Sequence, residues 1–272
     1  MQKLYSNTMN KPAYFPRNWI LLRGLTRSQF HWSEFAQNFK TQLELEEVFT
    51  PELAGNGILS HLASPTQMDD AIEQLKIQIK NISQSFHQPI GLLGLSLGGM
   101  IATAWASREP QLISHLVVIN SSFSFLSPFY KRLKPQNYFS ILTQILKNDP
   151  QTTEQFILKT TSNFSTKWKP KLNQYVEFQK QHPIQFKNVV RQLQLAHEIK
   201  ISDQPKAQTL IINSLNDHLV DASCSQKISS YLKARLITHT TAGHDLPLDD
   251  SDWLIQQIHN WLKVSSSDSI SK

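Results

Sequence analysis

The stretch Gly91–Met100 reads Gly-Leu-Leu-Gly-Leu-Ser-Leu-Gly-Gly-Met and places Ser96 between Gly94 and Gly98, after an apolar run and before a helical pattern. Any tight turn from a strand into a helix favours small residues, so these glycines fit a purely structural turn. The same Gly-x-Ser-x-Gly spacing is typical of a strained turn that lifts a serine hydroxyl clear of the backbone. The residues around the stretch have to decide between the two interpretations.

Short apolar runs alternate with helical patterns along much of the chain. Buried strands are predicted at 18–24, 89–95, 114–120, 207–213 and 234–239, with a further strand at Val48-Phe49. Helices are predicted from Ser64-Pro65 to about Phe86, and over 97–107, 223–232 and 252–262. This alternation predicts an α/β fold, a mostly parallel sheet with helices on both faces. The strand before Ser96 and the helix after it are the context that the serine motif requires.

The alternation stops between residues 121 and 205, where Phe, Lys and Gln are frequent and no strand-like run occurs. Apolar residues at 142–146, 156–158 and 189–197 indicate helices there. We expect a helical lid at 121–205, inserted between the two halves of a core at 17–120 and 206–263. Residues 1–16 and 264–272 are expected to form peripheral ends.

The positive charge of the chain lies in this middle segment. The whole chain has a net charge of +6, whereas residues 121–205 alone carry 12 basic and 5 acidic residues, a balance of +7. Such a segment is either a solvated helical surface or a docking surface for an acidic partner. The candidate docking residues are Lys131, Arg132 and Lys134, with a second group at Lys167, Lys169 and Lys171. Dispersed lysines and the lack of a recognition motif argue against nucleic-acid binding.

Composition excludes several other classes. Ordinary globular composition and the lack of any apolar run near the roughly 20 residues of a membrane span argue against a transmembrane protein. The first residues lack the apolar core of a secretory signal, and Cys224 is the only cysteine, so no internal disulfide forms and a cytoplasmic location is expected. No pair of histidines has metal-ligand spacing, so neither a metal nor another cofactor is expected.

A serine nucleophile needs a base to take its proton and an acid to orient that base. His244 is the strongest candidate base, because it falls in a loop between a predicted strand and the last helix. Asp217 is the candidate acid, since it follows directly on the strand that ends near residue 213. Asp221 is the alternative acid. Asp245 is disfavoured because the side chain next to a histidine normally points away from it.

The order serine, aspartate, histidine along the chain matches a nucleophile elbow with its triad. A structural interpretation of Asp217 stays open, because aspartates often cap the turn that follows them. Donors for an oxyanion are expected at the N–H of Leu97, which starts the helix after the serine, and at the N–H of Leu25. Gly24, which ends the first predicted strand, would let the backbone approach a substrate.

On these residues the chain resembles the α/β-hydrolase superfamily, over roughly 17–122 and 206–263. The resemblance rests on the motif at 94–99, on Asn-Asp-His-Leu-Val at 216–220 and on Gly-His at 243–244. The oxyanion loop of the family usually reads His-Gly, whereas this chain has Arg23-Gly24. Arg23 is therefore available to pair with a nearby acidic group.

The combination of these residues predicts acyl transfer to water without a cofactor, in a serine esterase that cleaves a small-molecule or lipid ester. The basic segment weakly resembles the lids of pimeloyl-acyl carrier protein methyl esterases, and that resemblance implies an acidic carrier protein as partner. The alternative is a ligand-binding member of the superfamily without useful hydrolysis. Retention of all three triad residue types argues against that alternative.

Overall fold

The computed structural model describes residues 15–82, 89–147, 149–201 and 203–268. Six parallel strands form one sheet in the order β2-β1-β3-β4-β5-β6. They are β1 (Asn18–Leu22), β2 (Glu47–Phe49), β3 (Ile90–Leu95), β4 (Ile113–Ile119), β5 (Gln208–Ser214) and β6 (Arg235–His239). The predicted strands and the mostly parallel sheet are thus confirmed. Their carboxyl ends lie at one edge, where the loops that follow them meet.

Helices cover both faces of the sheet, as the buried runs required. The helices of the core are α1 (Phe35–Gln42), α2 (Met68–Ile82), α3 (Leu97–Arg108), α10 (Ser223–Leu232), α11 (Leu246–Asp249) and α12 (Ser251–Asp268). Alternate strand residues point to opposite faces. Ile20 and Leu92 pack in the cluster with α2, α3 and α10, whereas Leu21 and Leu93 pack in the cluster with α1 and α12.

Between β4 and β5 the described chain is helical and contains no strand. We call residues 121–205 the insertion. Its helices are α4 (Phe129–Arg132), α5 (Tyr138–Lys147), α6 (Pro150–Thr161), α7 (Ser165–Trp168), α8 (Leu172–Gln181) and α9 (Phe186–Glu198). Helix α8 was not predicted. Its buried face includes the polar Gln179 beside Tyr175 and Val176, so its apolar spacing is weak.

The predicted start of α2 at Ser64-Pro65 is wrong, because the helix begins at Met68. Ser64 does not cap the helix. Its N–H donates to Asn188 Oδ1 (3.0 Å), and its hydroxyl accepts from Gln192 Nε2 (3.0 Å), so it binds α9 instead. The predicted end near Phe86 lies outside the described residues. Among the helices within the described ranges, none is long and apolar enough to cross a bilayer.

Candidate active site

Ser96 lies on the sharp turn between β3 and α3, with φ 57° and ψ −119°. A positive φ is uncommon for any residue but glycine and costs about 1–3 kcal/mol where the surroundings enforce it. Two hydrogen bonds hold the turn against β4 and the residues after it: Ser96 N–H donates to Ile119 O (2.9 Å), and Ser121 Oγ donates to Ser96 O (2.8 Å). Within this turn Ser96 is the residue with a positive φ, so the backbone strain falls on the residue that carries the hydroxyl.

The flanking glycines are required by close backbone packing. A Cβ on Gly94 would lie 2.3 Å from Gly98 O, and a Cβ on Gly98 would lie 2.1 Å from Leu22 O. Both neighbours are backbone atoms, which cannot move aside as a flexible side chain can. The spacing of the glycines around Ser96 therefore lets α3 start directly against the ends of β1 and β3.

Asp217 and His244 form a buried pair beside this turn. Nδ1 of His244 donates to Asp217 Oδ2 at 2.6 Å, and the two side chains are 6% and 2% exposed. The other carboxylate oxygen of Asp217 accepts the N–H groups of Leu219 (2.7 Å) and Val220 (2.9 Å). Asp217 therefore caps the following turn with one oxygen and orients His244 with the other. The structural interpretation of Asp217 and its interpretation as the acid are thus compatible.

The two other candidate acids make different contacts. Asp221 accepts from the N–H and the hydroxyl of Ser223, and these bonds lower its pKa. Asp245 points away from the histidine beside it and binds Arg23 through two hydrogen bonds of 3.1 and 2.6 Å. Burial by itself raises the pKa of Asp245, but the charge and hydrogen bonds of Arg23 hold it below its usual value. Arg23 thus pairs with an acidic group, as the sequence allowed.

The loop after β1 approaches Ser96 closely. A Cβ on Gly24 would lie 3.1 Å from Ser96 Cβ and 3.6 Å from Ser96 Oγ, so only a glycine leaves this space free. Leu25, next along this loop, lines the same cavity as Ser96 and His244. Leu97 is the first residue of α3, and the N–H groups of a first helical turn have no acceptor inside the helix. These are the two positions predicted to supply oxyanion donors.

The cavity that Ser96 and His244 line has a volume of about 210 Å³, and residues of the insertion form part of its wall. Its walls come from the core and from the insertion helices α5, α6, α8 and α9, and its apolar lining residues include Leu25, Leu95, Ile141, Phe156, Ile157 and Val189. Polar side chains such as Arg27, Gln144 and Gln179 also line it, but most of the exposed wall area is apolar, as in most small-molecule sites. The arrangement can hold an apolar chain with one end at the serine.

A second buried ion pair joins the loop after β1 to the insertion. Nη1 of Arg27 binds both carboxylate oxygens of Glu154 in α6, at 2.8 and 2.9 Å, and the side chains are 8% and 1% exposed. Arg27 also lines the cavity. Nearby His31 is buried, and this burial together with Arg27 and Arg23 lowers its pKa well below the usual value. Sequence analysis missed this pair, because its members are 127 residues apart.

The insertion braces the loops that carry Asp217 and His244. Nδ2 of Asn163 donates to Asn216 O (3.0 Å) and Thr241 O (2.9 Å), one in each loop. The buried carboxylate of Asp249 accepts from Ser162 Oγ, from Asn163 N–H (3.0 Å) and from Gly243 N–H (2.7 Å). No sequence motif marks Asn163 or Asp249.

The basic residues proposed for docking are half-buried and bind this protein itself. Lys131 Nζ donates to Ser223 Oγ (3.1 Å), Arg132 Nη2 donates to Ala196 O (2.8 Å), and Lys134 Nζ donates to Asp217 O (2.5 Å). Lys167 and Lys169 of the second group are exposed, whereas Lys171 binds Glu34. Within the described residues no cluster of three or more metal-ligating side chains occurs.

Comparisons with known proteins agree with this fold. The model of the alpha/beta hydrolase fold family matches residues 20–251. Comparison with curated protein sequences finds no match. Similar solved structures include a putative lipase from Acinetobacter baumannii AYE, with 22% identity and a TM-score of 0.70 over 93% of this chain and 85% of that one.

Two further structures share the fold at lower identity. A thermophilic esterase from Thermogutta terrifontis has 18% identity and a TM-score of 0.65, covering 92% of this chain and 90% of that one. A meta-cleavage product hydrolase from Pseudomonas fluorescens IP01 has 16% identity and a TM-score of 0.70, covering 91% of both chains.

Proposed function

The chain belongs to the α/β hydrolase fold family, and we propose that it is a serine hydrolase that cleaves a carboxylic ester through an acyl-enzyme intermediate. One observation carries the proposal: Ser96 on its strained turn and His244, which pairs with the buried Asp217, line the same cavity. A purely structural turn would need neither the paired histidine nor the cavity.

In the proposed reaction, Ser96 Oγ attacks the ester carbonyl while Nε2 of His244 takes its proton. Asp217 holds the imidazole by Nδ1 and stabilises the charge that it gains. The N–H groups of Leu25, in the loop after β1, and of Leu97, at the start of α3, stabilise the oxyanion. His244 then returns the proton to the leaving alcohol. A water molecule, deprotonated by His244, releases the acid and restores Ser96.

The cavity supports an ester with an apolar acyl or alcohol group. Its apolar walls would bury such a chain, at about 0.8 kcal/mol per methylene. We propose that the insertion acts as the lid of this cavity, since Ile141, Phe156 and Val189 form part of its wall. The divided core at 17–120 and 206–263 then supplies the chemistry, and residues 121–205 supply the substrate wall.

A finer proposal concerns the substrate: an ester attached to an acidic acyl carrier protein, as for the pimeloyl-acyl carrier protein methyl esterases. This proposal rests on the +7 charge balance of the insertion. The contacts of Lys131, Arg132 and Lys134 within the protein weaken their part in it. Exposed Lys167 and Lys169 are better placed to attract an acidic partner.

Turnover of p-nitrophenyl esters of graded chain length tests the main proposal, with Ser96→Ala as the inactive comparison. A fluorophosphonate probe should label the wild type and fail to label Ser96→Ala. A wild type that binds these esters without hydrolysis, and resists the probe, would instead be a ligand-binding member of the family. Labelling that persists in Ser96→Ala would refute the assignment of the nucleophile.

A further inference from the structure

We propose that Arg23 and Asp245 are positioning residues, whose ion pair sets the distance between the oxyanion loop and the catalytic histidine. The inference rests on the proposed function, because it concerns how that site is held together. The pair combines two hydrogen bonds between a planar guanidinium and a carboxylate, and the side chains are only 4% and 6% exposed. Such two-pronged pairs fix orientation as well as distance.

The pair connects loops that the sheet itself keeps apart. Arg23 follows β1 and Asp245 follows β6, and these strands are four positions apart in the sheet, about 19 Å at the usual strand spacing. The loop after β6 therefore reaches back across the sheet edge to the loop after β1. Within the described residues, this ion pair is the one that joins these two loops directly.

Each member of the pair lies close along the chain to a group with a proposed catalytic role. Arg23 lies two residues before Leu25, with Gly24 between them, and Asp245 directly follows His244. A displacement of either side chain therefore moves an oxyanion donor relative to the base. Misplacement of reacting groups by about 1 Å can reduce the rate about 100-fold.

The outer sides of the pair are held as well. The guanidinium of Arg23 lies 4.8 Å from the ring centre of Trp32, and the Asp245 N–H donates to Thr161 O at 2.7 Å. The carbonyl of His244 accepts from Asn120 Nδ2 at 2.8 Å. Arg23 and Asp245 are therefore each held by further contacts. The length of their ion pair then sets the distance between the loop after β1 and the loop after β6.

Stability alone is a weak explanation for this pair. Removing two charges from water is costly, and apolar replacements for both members of a buried pair are often as stable as the pair. Arg23 Nε is itself buried without a partner in the described residues, which adds to that cost. A role in positioning explains why this pair of charges is kept buried beside the cavity despite that cost.

The decisive experiment separates stability from catalysis with Arg23→Met, Asp245→Leu and the double variant. Each single variant leaves one buried charge unpaired and should lower the Tm, while the double variant should recover most of that loss. If the pair positions the loops, kcat on a short p-nitrophenyl ester stays at least about 10-fold below wild type in the double variant, a larger effect than any change in KM from the altered cavity wall. Recovery of kcat together with Tm would overturn the proposal.

The Arg27–Glu154 pair is a matched control, since it is similarly buried but joins the loop after β1 to α6 instead of to the histidine loop. Arg27→Met/Glu154→Leu alters the cavity wall, so we expect its main effect in KM for long-chain esters. If the Arg23/Asp245 double variant does not fold, Arg23→Lys replaces it, because lysine keeps the charge without the two-pronged geometry. A lower kcat in Arg23→Lys supports positioning, and an unchanged kcat overturns it.

Failure of the proposed function would look different. A wild type without turnover or fluorophosphonate labelling counts against the serine hydrolase, whereas a wild type and double variant labelled at equal rates count against positioning. The proton between His244 Nδ1 and Asp217 Oδ2 should give a low-field NMR signal, which can be measured without turnover. That signal should shift in the double variant, and an unchanged signal would contradict a movement of the histidine loop.

Discussion

Asp217 orients His244 with one carboxylate oxygen and holds its own loop with the other. Oδ2 lies 2.6 Å from Nδ1 of His244, while Oδ1 accepts two backbone N–H groups. The bonds at Oδ1 keep the carboxylate from rotating, so its second oxygen can face the imidazole alone. Asp221, four residues later, binds Ser223 instead.

Asp217→Asn should lower kcat about 1,000-fold or more, because an amide cannot stabilise the imidazolium and favours the wrong tautomer of His244. The matched control is Asp221→Asn, which should stay within about threefold of wild type, since Asp221 makes no contact with His244. Steady-state turnover of a short p-nitrophenyl ester measures both. The opposite order of effects would show that the acid is misassigned.

Gly24→Ala should lower kcat about 10-fold or more while the protein stays folded. The added methyl group would lie 3.1 Å from Ser96 Cβ and 3.6 Å from its hydroxyl, a tight contact that pushes the oxyanion loop away. Gly98→Ala should instead prevent stable folding, because its methyl group would lie 2.1 Å from Leu22 O. Circular dichroism and turnover, measured on both variants, distinguish the two outcomes.

Asp249→Asn should reduce the free energy of unfolding by about 3 kcal/mol, since the new amide would face donors that now bind a charged acceptor. Those donors come from both the insertion and the histidine loop. Urea unfolding measures the loss, with exposed Asp252→Asn as a control expected to change stability by less than about 0.5 kcal/mol. Equal stability of the two variants would show that Asp249 is not a brace.

His115 should make stability fall as the pH decreases from about 6.5 to about 4. Burial lowers the pKa of His115 to about 4, so the unfolded chain takes up a proton there before the folded protein does. The full stability is present above pH 6.5, and about 3 kcal/mol is lost by pH 4. His115→Gln should flatten this part of the curve in urea titrations at several pH values.

Lys167→Glu/Lys169→Glu tests the acidic carrier. If these exposed lysines attract it, the variant should raise KM several-fold for a carrier-bound ester and leave a small neutral ester unaffected. Salt near 1 M, where the screening length is about 3 Å, should remove the difference. Equal KM values of wild type and variant on the carrier-bound ester would leave a small-molecule or lipid esterase.

Local sequence was sufficient for the sheet and for the turn at Ser96. Runs such as 114–120 are short and rich in β-branched residues, and a strand covered on both faces needs little more than that. The Gly-x-Ser-x-Gly spacing likewise describes a local contact, between Gly94 and Gly98 four positions apart. The start of α2 was misjudged because Ser64-Pro65 is a good local signal for a helix start. Ser64 instead binds α9, and these tertiary contacts override its local capping preference.

Only the tertiary structure decided which acidic residue faces which base. Asp217, Asp221 and Asp245 are chemically alike, and their roles follow from strand order and loop path, which bring residues together across long stretches of chain. Arg23 meets Asp245 from 222 positions away, and Arg27 meets Glu154 from 127. Pairs at such separations have no local pattern, because their contact energy appears only after the parallel sheet has aligned the carboxyl ends of its strands.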